Sequence, residues 1–267
     1  MSFTLLHDRE EIERFLRTDV GLHLYSLGDL DDFYWPCTTW FAHRTNGGID
    51  AIALLYTGMA MPTLLALNAD VEPMTELVSS LREILPVRFS AHLCRGLASV
   101  LEPTHQLHAH GLHCKMMLSR ETALRLRTTP TDGGTVRLGT GDLPELIAFY
   151  KDAYPGNWFD ARMLETDQYV GIRENDRLVS VAGVHVYSPR YRVAALGNIA
   201  TLPTHRGRGY GSRVTAELCR LLSHQGLDVG LNVDARNETA IACYRRIGFE
   251  TVAHYEEYQA QRQSTRG

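Results

Sequence analysis

The sequence predicts a mixed α/β chain of the α+β class, folded as two domains, and three observations carry this. Its 267 residues suit two domains of ~100–150 residues each. A run of Thr, Pro, Asp and Gly from Thr128 to Gly134 reads as a linker between halves of similar size. On both sides of it, strand-like alternation and helical spacing succeed one another. The expected domains are 1–127 and 135–260.

Composition narrows the class. Hydrophobic residues make up 44% and charged residues 22%, enough to bury cores and against disorder or a coiled coil. Lys and Arg number 27 against 31 Asp and Glu, a net charge of −4, so no nucleic acid is expected as a partner. No apolar run approaches the ~20 residues of a membrane span, and Met1–Glu13 is acidic where a signal peptide is basic and then apolar. No membrane partner is expected. Cys37, Cys94, Cys114, Cys219 and Cys243 are odd in number, widely spaced and without C-x-x-C, as reduced thiols of a cytoplasmic protein.

In the first half, Asp8–Arg17 has a helix pattern through Ile12, Phe15 and Leu16. Thr38–His43 and Ala51–Tyr56 are strand-like, with the hairpin signal Asn46-Gly47-Gly48 between them. Met74–Leu85 has helical spacing, Arg95–Leu101 a weaker one, and Lys115–Leu118 reads as a short strand. Asp29, Asp31 and Asp32 read as solvated surface.

In the second half, Thr135–Leu138 is a short strand, and Asp142 caps a helix to about Tyr154 with Leu143, Leu146, Ile147 and Tyr150 on one face. Tyr169–Arg173, Arg177–Tyr187 and Val193–Thr201, joined by short turns, predict an antiparallel meander. Gly209–Gly226 is a helix, Val229–Val233 a strand, and Asn237–Ile247 a helix stopped by Gly248. A final hairpin is expected around Phe249–His254, then a frayed tail from Gln259.

Chemistry concentrates at Arg206-Gly207-Arg208-Gly209-Tyr210-Gly211, between a strand and a helix. Glycines let the backbone N–H groups turn outward. With the helix dipole they form a nest for phosphate or pyrophosphate, and Arg206, Arg208 and Arg213 add positive charge. The alternative is a connecting turn with solvated arginines. No lysine completes a Walker loop. The G-x-G-x-G spacing after antiparallel strands does not suit a dinucleotide fold.

The pattern R-x-x-G-x-G from Arg206, with Pro203 ahead of it, resembles the acyl-CoA pyrophosphate loop of the GNAT N-acetyltransferase superfamily. Asn237 to Phe249 resembles its N-x-x-A-x-x-x-Y-x-x-x-G-F segment. The likeness covers Val136 to about Tyr258. The wording of Tyr169–Pro203 is similar to the branch that includes glycine N-acyltransferase, and Leu24–Phe41 more faintly so. That branch implies a degenerate GNAT-like domain before the catalytic one. The catalytic domain would have a mixed, largely antiparallel sheet, splayed at the acyl-CoA site and flanked by helices.

The resemblance implies an acetyl-CoA-dependent N-acetyltransferase with a small-molecule primary amine as acceptor and no metal. The backbone of Ile199, Ala200 and Thr201 would bind pantetheine. Arg206, Gly207, Arg208, Gly209, Tyr210, Gly211 and Ser212 would hold the pyrophosphate, and Asn237 would touch the pantetheine end or simply cap its helix. Tyr244 matches the family tyrosine that faces the CoA sulfur as general acid; a buried helix aromatic is the alternative. Many relatives place a glutamate on the strand before the loop, but Ala194-Ala195-Leu196-Gly197-Asn198 has none. Asn198 positioning a water, a base from elsewhere (His185, Asp160 or Asp234), or an amine that arrives deprotonated all stay open. Trp158 and Phe159 would line the acceptor pocket or pack against the first half.

His105, His108, His110, His113 and Cys114 are dense but match no metal spacing, and read as a polar turn before a strand. The first half has no R-x-x-G-x-G and is expected to bind no CoA. It would wall the acceptor site or pair two copies as a homodimer. A CoA-binding sensor or inactive homologue is the competing function.

Overall fold

The computed structural model describes residues 3–45, 48–131 and 133–263. It divides into two compact units. The first comprises residues 1–115, 233–237 and 251–267, and the second residues 116–232 and 238–250. The chain first passes from one unit to the other at residues 115–116, and the 128–134 stretch, whose Asp132 lies outside the described residues, falls within the second unit.

The first unit opens with β1 (Thr4–Leu6), α1 (Arg9–Leu16) and α2 (Val20–Gly28). Asp8 and Asp19 cap the two helices by accepting from the N–H groups of Glu10, Glu11 and Leu22. β2 (Thr38–Thr45) and β3 (Gly48–Tyr56) form the expected antiparallel hairpin; Asn46 and Gly47 of its turn lie outside the described residues. β4 (Thr63–Ala66), α3 (Val71–Leu81) and β5 (Arg88–Leu93) follow, with β4 and β5 parallel. Then come α4 (Ala98–Leu101) and β6 (His105–Leu118). Phe41, Leu64, Met74, Leu77, Phe89 and Leu101 pack in one core.

Four expectations change here. The helix at Arg95–Leu101 shortens to the single turn of α4. The histidine-rich run is not a turn but lies within the 14-residue strand β6, where His105 is buried and His108 and His110 are exposed. Asp29 is 6% exposed rather than solvated. The final hairpin and frayed tail are instead one strand, β12 (Phe249–Arg262), paired antiparallel with β5 from Glu256↔Leu93 to Gln261↔Arg88. Ala260 is fully buried in the first unit's core. The Arg262 guanidinium donates to the carbonyls of Glu83 and Leu85 past the end of α3. Arg266 and the rest of residues 264–267 lie outside the described residues.

The second unit holds α5 (Arg120–Arg127), β7 (Val136–Leu138), α6 (Leu143–Ala153), β8 (Tyr169–Glu174), β9 (Arg177–Ser188), β10 (Val193–Thr201), α7 (Tyr210–His224), β11 (Asp228–Asp234) and α8 (Glu238–Ile247). β7 to β10 pair antiparallel in sequence order, and β10 pairs parallel with β11. This is the predicted mixed sheet. Asn175 and Asp176, both at positive φ (49° and 61°), make the tight turn between β8 and β9. Asp142 does not cap α6 through its side chain. Its carboxylate accepts from the Gly139 N–H and from Arg173. The buried face of α6 is Leu146, Phe149, Tyr150 and Ala153, while Ile147 is exposed.

Candidate active site

β10 and β11 pair from Val193↔Asp228 to Leu196↔Leu231, and their pairing ends there although β10 runs on to Thr201 and β11 to Asp234. The divergence has a local cause. Along β9 the register of β10 shifts twice, between Ala195 and Leu196 and between Gly197 and Ala200. Asn198 sits in that bulge at φ +54°. A bulge bends its strand and re-aims side chains.

Two glycines admit large rings at this point. A Cβ on Gly197 would lie 2.2 Å from the His185 ring, and one on Gly183 would lie 2.1 Å from the Tyr169 ring. Asn198 is buried, and its Nδ2 donates to the Tyr169 hydroxyl at 3.1 Å and approaches Met163 Sδ at 3.3 Å. The Tyr150 hydroxyl donates to the Asn198 carbonyl at 2.7 Å. Phe159 lies against both tyrosines, with centroids 4.9 Å from Tyr150 and 5.9 Å from Tyr169. Burial pushes the Tyr150 and Tyr169 hydroxyls up, so both stay protonated. Tyr150, Tyr169 and Met163 were not singled out from the sequence. Their available signal was the pair of isolated glycines inside strand patterns, which marks a close approach.

The glycine loop follows β10. Gly207 and Gly209 have φ of +77° and +79°, and a Cβ on either would meet nothing within 4 Å. Gly209 stands at the N-cap of the 15-residue α7 and leaves its first N–H groups without a side-chain cap. Arg206 turns inward, its guanidinium donating to the carbonyls of Thr201 (3.2 Å) and Ala153 (3.3 Å), and so ties the base of the loop. Glu174 meets the other side: its carboxylate accepts from Tyr210 and pairs with His205 (3.3 Å) and Arg208 (3.5 Å). The Tyr210 hydroxyl, then Arg208 and His205, hold that carboxyl below the usual carboxylate range. Thr201 Oγ1 bonds Ser180 and lies 3.4 Å from where a Gly211 Cβ would be. Ser212 is partly buried in the first turn of α7.

Tyr244 is partly buried on α8 and packs edge-on to Phe249 at 5.9 Å. Burial first, then Cys243, Tyr154 and Cys219, push its hydroxyl up, so it is protonated at neutral pH. Asn237 directly precedes α8, its N–H donating to the Asp234 carbonyl. The structure separates Trp158 from Phe159: Phe159 joins the cluster around Asn198, whereas Trp158 is 43% exposed.

Two of the three candidate bases are engaged elsewhere. The Asp160 carboxylate accepts from the Arg162 N–H to start a 3-10 turn. Asp234 is clamped by Arg236 at 2.7 Å, which holds its carboxyl low. His185 keeps a buried Nε2 without a hydrogen-bond partner. Among the described residues, no three His, Cys, Asp or Glu side chains are arranged to hold a metal, and no helix is long and apolar enough to cross a membrane.

Comparison with known proteins identifies the family. The Acetyltransferase (GNAT) family matches residues 140–249. The N-alpha-acetyltransferase RimI of Mycobacterium tuberculosis is 31% identical over 112 residues, 40% of this chain and 68% of that protein. The uncharacterized protein ML0378 of Mycobacterium leprae is 36% identical over 110 residues, 39% of this chain and 29% of that protein's length. A solved tandem GNAT protein from the clavulanic acid biosynthesis pathway shares the fold, with a TM-score of 0.58 at 16% identity over 97% of each chain. On the RimI likeness and the matching family segment, which holds both the glycine loop and Tyr244, the chain belongs to the GNAT family of acetyltransferases.

Proposed function

We propose that this chain moves an acetyl group from acetyl-CoA to the primary amine of a small molecule by direct attack, with Tyr244 protonating the departing thiolate. One observation carries the reading: a parallel strand pair that parts beside an uncapped, glycine-entered helix. The open cradle at Gly207 and Gly209 suits a pyrophosphate, which the α7 N–H groups would bind. Arg208, Tyr210, Gly211 and Ser212 would complete that loop, with Arg206 fixing its base. The β10 edge at Ile199, Ala200 and Thr201, free of β11, would take the pantetheine amides as a strand would. Phe159 and Trp158 would face the acceptor.

We further infer the two-domain branch that includes glycine N-acyltransferase, with a first half that binds no CoA, a cytoplasmic setting and a homodimer. The likeness to a tandem GNAT protein over nearly the whole chain supports the two-domain part. The competing reading, a CoA-binding sensor, draws on the absence of a carboxylate from Ala194–Asn198.

Calorimetric titration with acetyl-CoA, followed by CoA release on a panel of amines, tests the proposal. Tyr244→Phe is expected to bind acetyl-CoA normally and to turn over at least about tenfold more slowly. Binding without turnover of any amine, by the native chain, would favour the sensor.

A further inference from the structure

The acetyl-transfer reading leaves one proton without a destination. The attacking amine loses it as nitrogen bonds to the thioester carbon. Tyr150 and Tyr169 donate their own hydroxyl protons and are held protonated by burial. Asp160 and Asp234 are engaged as described above, and His205 pairs with Glu174.

His185 differs from all of these. Its ring lies over Gly197, the first β10 residue beyond the last one paired with β11. The His185 side chain is hydrogen-bonded to that of Asn198, and its Nε2 is buried without a partner. The bond to Asn198 therefore runs through Nδ1–H, and the lone pair is on Nε2. Asn198 is fixed in turn from two further sides, its Nδ2 on Tyr169 and its carbonyl under Tyr150. Its αL backbone keeps it in the bulge. A ring with one nitrogen anchored and the other unpaired is the arrangement of a positioned general base.

Resting on the acetyl-transfer reading, we propose that His185 accepts the amine proton at Nε2, and that Asn198 is the positioning residue that holds its tautomer. Nitrogen bonds to the thioester carbon as its proton passes to Nε2. The carbon–sulfur bond then breaks and the thiolate takes the Tyr244 proton. Solvent returns the proton from the imidazolium to the phenolate, so one proton leaves nitrogen and one arrives on sulfur. His185 bonds the Asn198 amide on β10, and Asn198 in turn meets the Tyr169 and Tyr150 phenols, with Asp160 acting on Tyr169. Burial lowers the imidazole's affinity for protons while Asn198 opposes this, so the base is neutral at pH 7.

The test joins spectroscopy to kinetics. Histidine-labelled protein with acetyl-CoA bound should show His185 by NMR as the neutral Nδ1–H tautomer at pH 7. His185→Gln should bind acetyl-CoA within about twofold of the native chain. On an amine that the native chain acetylates (tyramine, glycinamide, spermidine and glucosamine as probes), its kcat should fall at least about a hundredfold and the acid limb of the pH profile should vanish. Asn198→Asp should move that limb to higher pH, because a carboxylate favours the imidazolium. An Nε2–H tautomer, an unchanged kcat in His185→Gln, or loss of acetyl-CoA binding in that variant each overturns the assignment while leaving the transferase reading standing. A native chain that binds acetyl-CoA but acetylates none of the probes overturns both.

Discussion

β4 and β5 in the first unit, and β10 and β11 in the second, are each a parallel pair joined through one helix, yet only the second pair opens. In the first, pairing runs to the last residue of β4, Ala66↔Leu93. It is then stitched further, as the Cys94 N–H donates to the Ala66 carbonyl and the Asn68 N–H to Cys94 Sγ. The crossover helices differ too. α3 is capped by its own Asp70, whose carboxylate accepts from Glu72 N–H, and it carries Glu72 in its first turn. α7 begins at Gly209 with no side-chain cap. One topology gives a closed scaffold in the first case and an uncapped helix start beside a gap in the second. The difference lies in a bulge and a cap, not in the order of strands.

The largest break in that comparison is expected from Gly209→Val. A β-branched residue at φ +79° costs roughly 1–3 kcal/mol and puts a side chain into the cradle. Acetyl-CoA affinity should fall about a hundredfold, equivalent to about 2.7 kcal/mol, with the far-ultraviolet circular dichroism retained. The native chain should bind one acetyl-CoA per chain; two would show that the closed pair also binds.

What the sequence disclosed follows the same line. The second unit was legible because its signals are local: short turns such as Asn175-Asp176, glycines at a strand-to-helix turn, and a tyrosine at fixed spacing from Asn237. Non-local pairing was not. Gln259 and Gln261 look like a polar tail, yet they pair with Ser90 and Arg88 more than 160 residues earlier. The histidines of β6 carry no strong strand preference, and pairing overrides it. At the candidate site, the loop and Tyr244 carry motif signals. The Asn198–Tyr169–Tyr150 contacts could not, because they join residues 29 and 48 positions apart. Only Gly183 and Gly197 hinted at them.

The next effect in size concerns stability and belongs to the first unit alone. Burial pushes the Asp29 carboxyl up to about 8. A raised carboxyl pKa means that the folded chain holds the proton more tightly. The associated stability is fully present below the unfolded value near 4 and is lost as pH rises through about 8. Asp29→Asn removes the ionisable group and so the loss. Its Tm should exceed the native value by about 5 °C or more at pH 8 and match it closely at pH 4. A gain independent of pH would show that Asp29 does not titrate in this interval. Acetyl-CoA binding, assigned to the second unit, should not change.

The smallest effect asks whether cap or bulge decides between the two strand pairs. Asp70→Ala frees the N–H groups at the start of α3, as Gly209 leaves those of α7. Loss of an N-cap costs about 1 kcal/mol, so a modest drop in the denaturation midpoint is expected. If an uncapped helix end sufficed, the variant would gain a second acetyl-CoA site. It should not, because β4 and β5 stay paired to Ala66 and Cys94 holds the exit closed. No β4 edge is then open to pair with pantetheine. A calorimetric stoichiometry that stays at one places the decisive difference in the bulge at Asn198. A second site would place it in the cap.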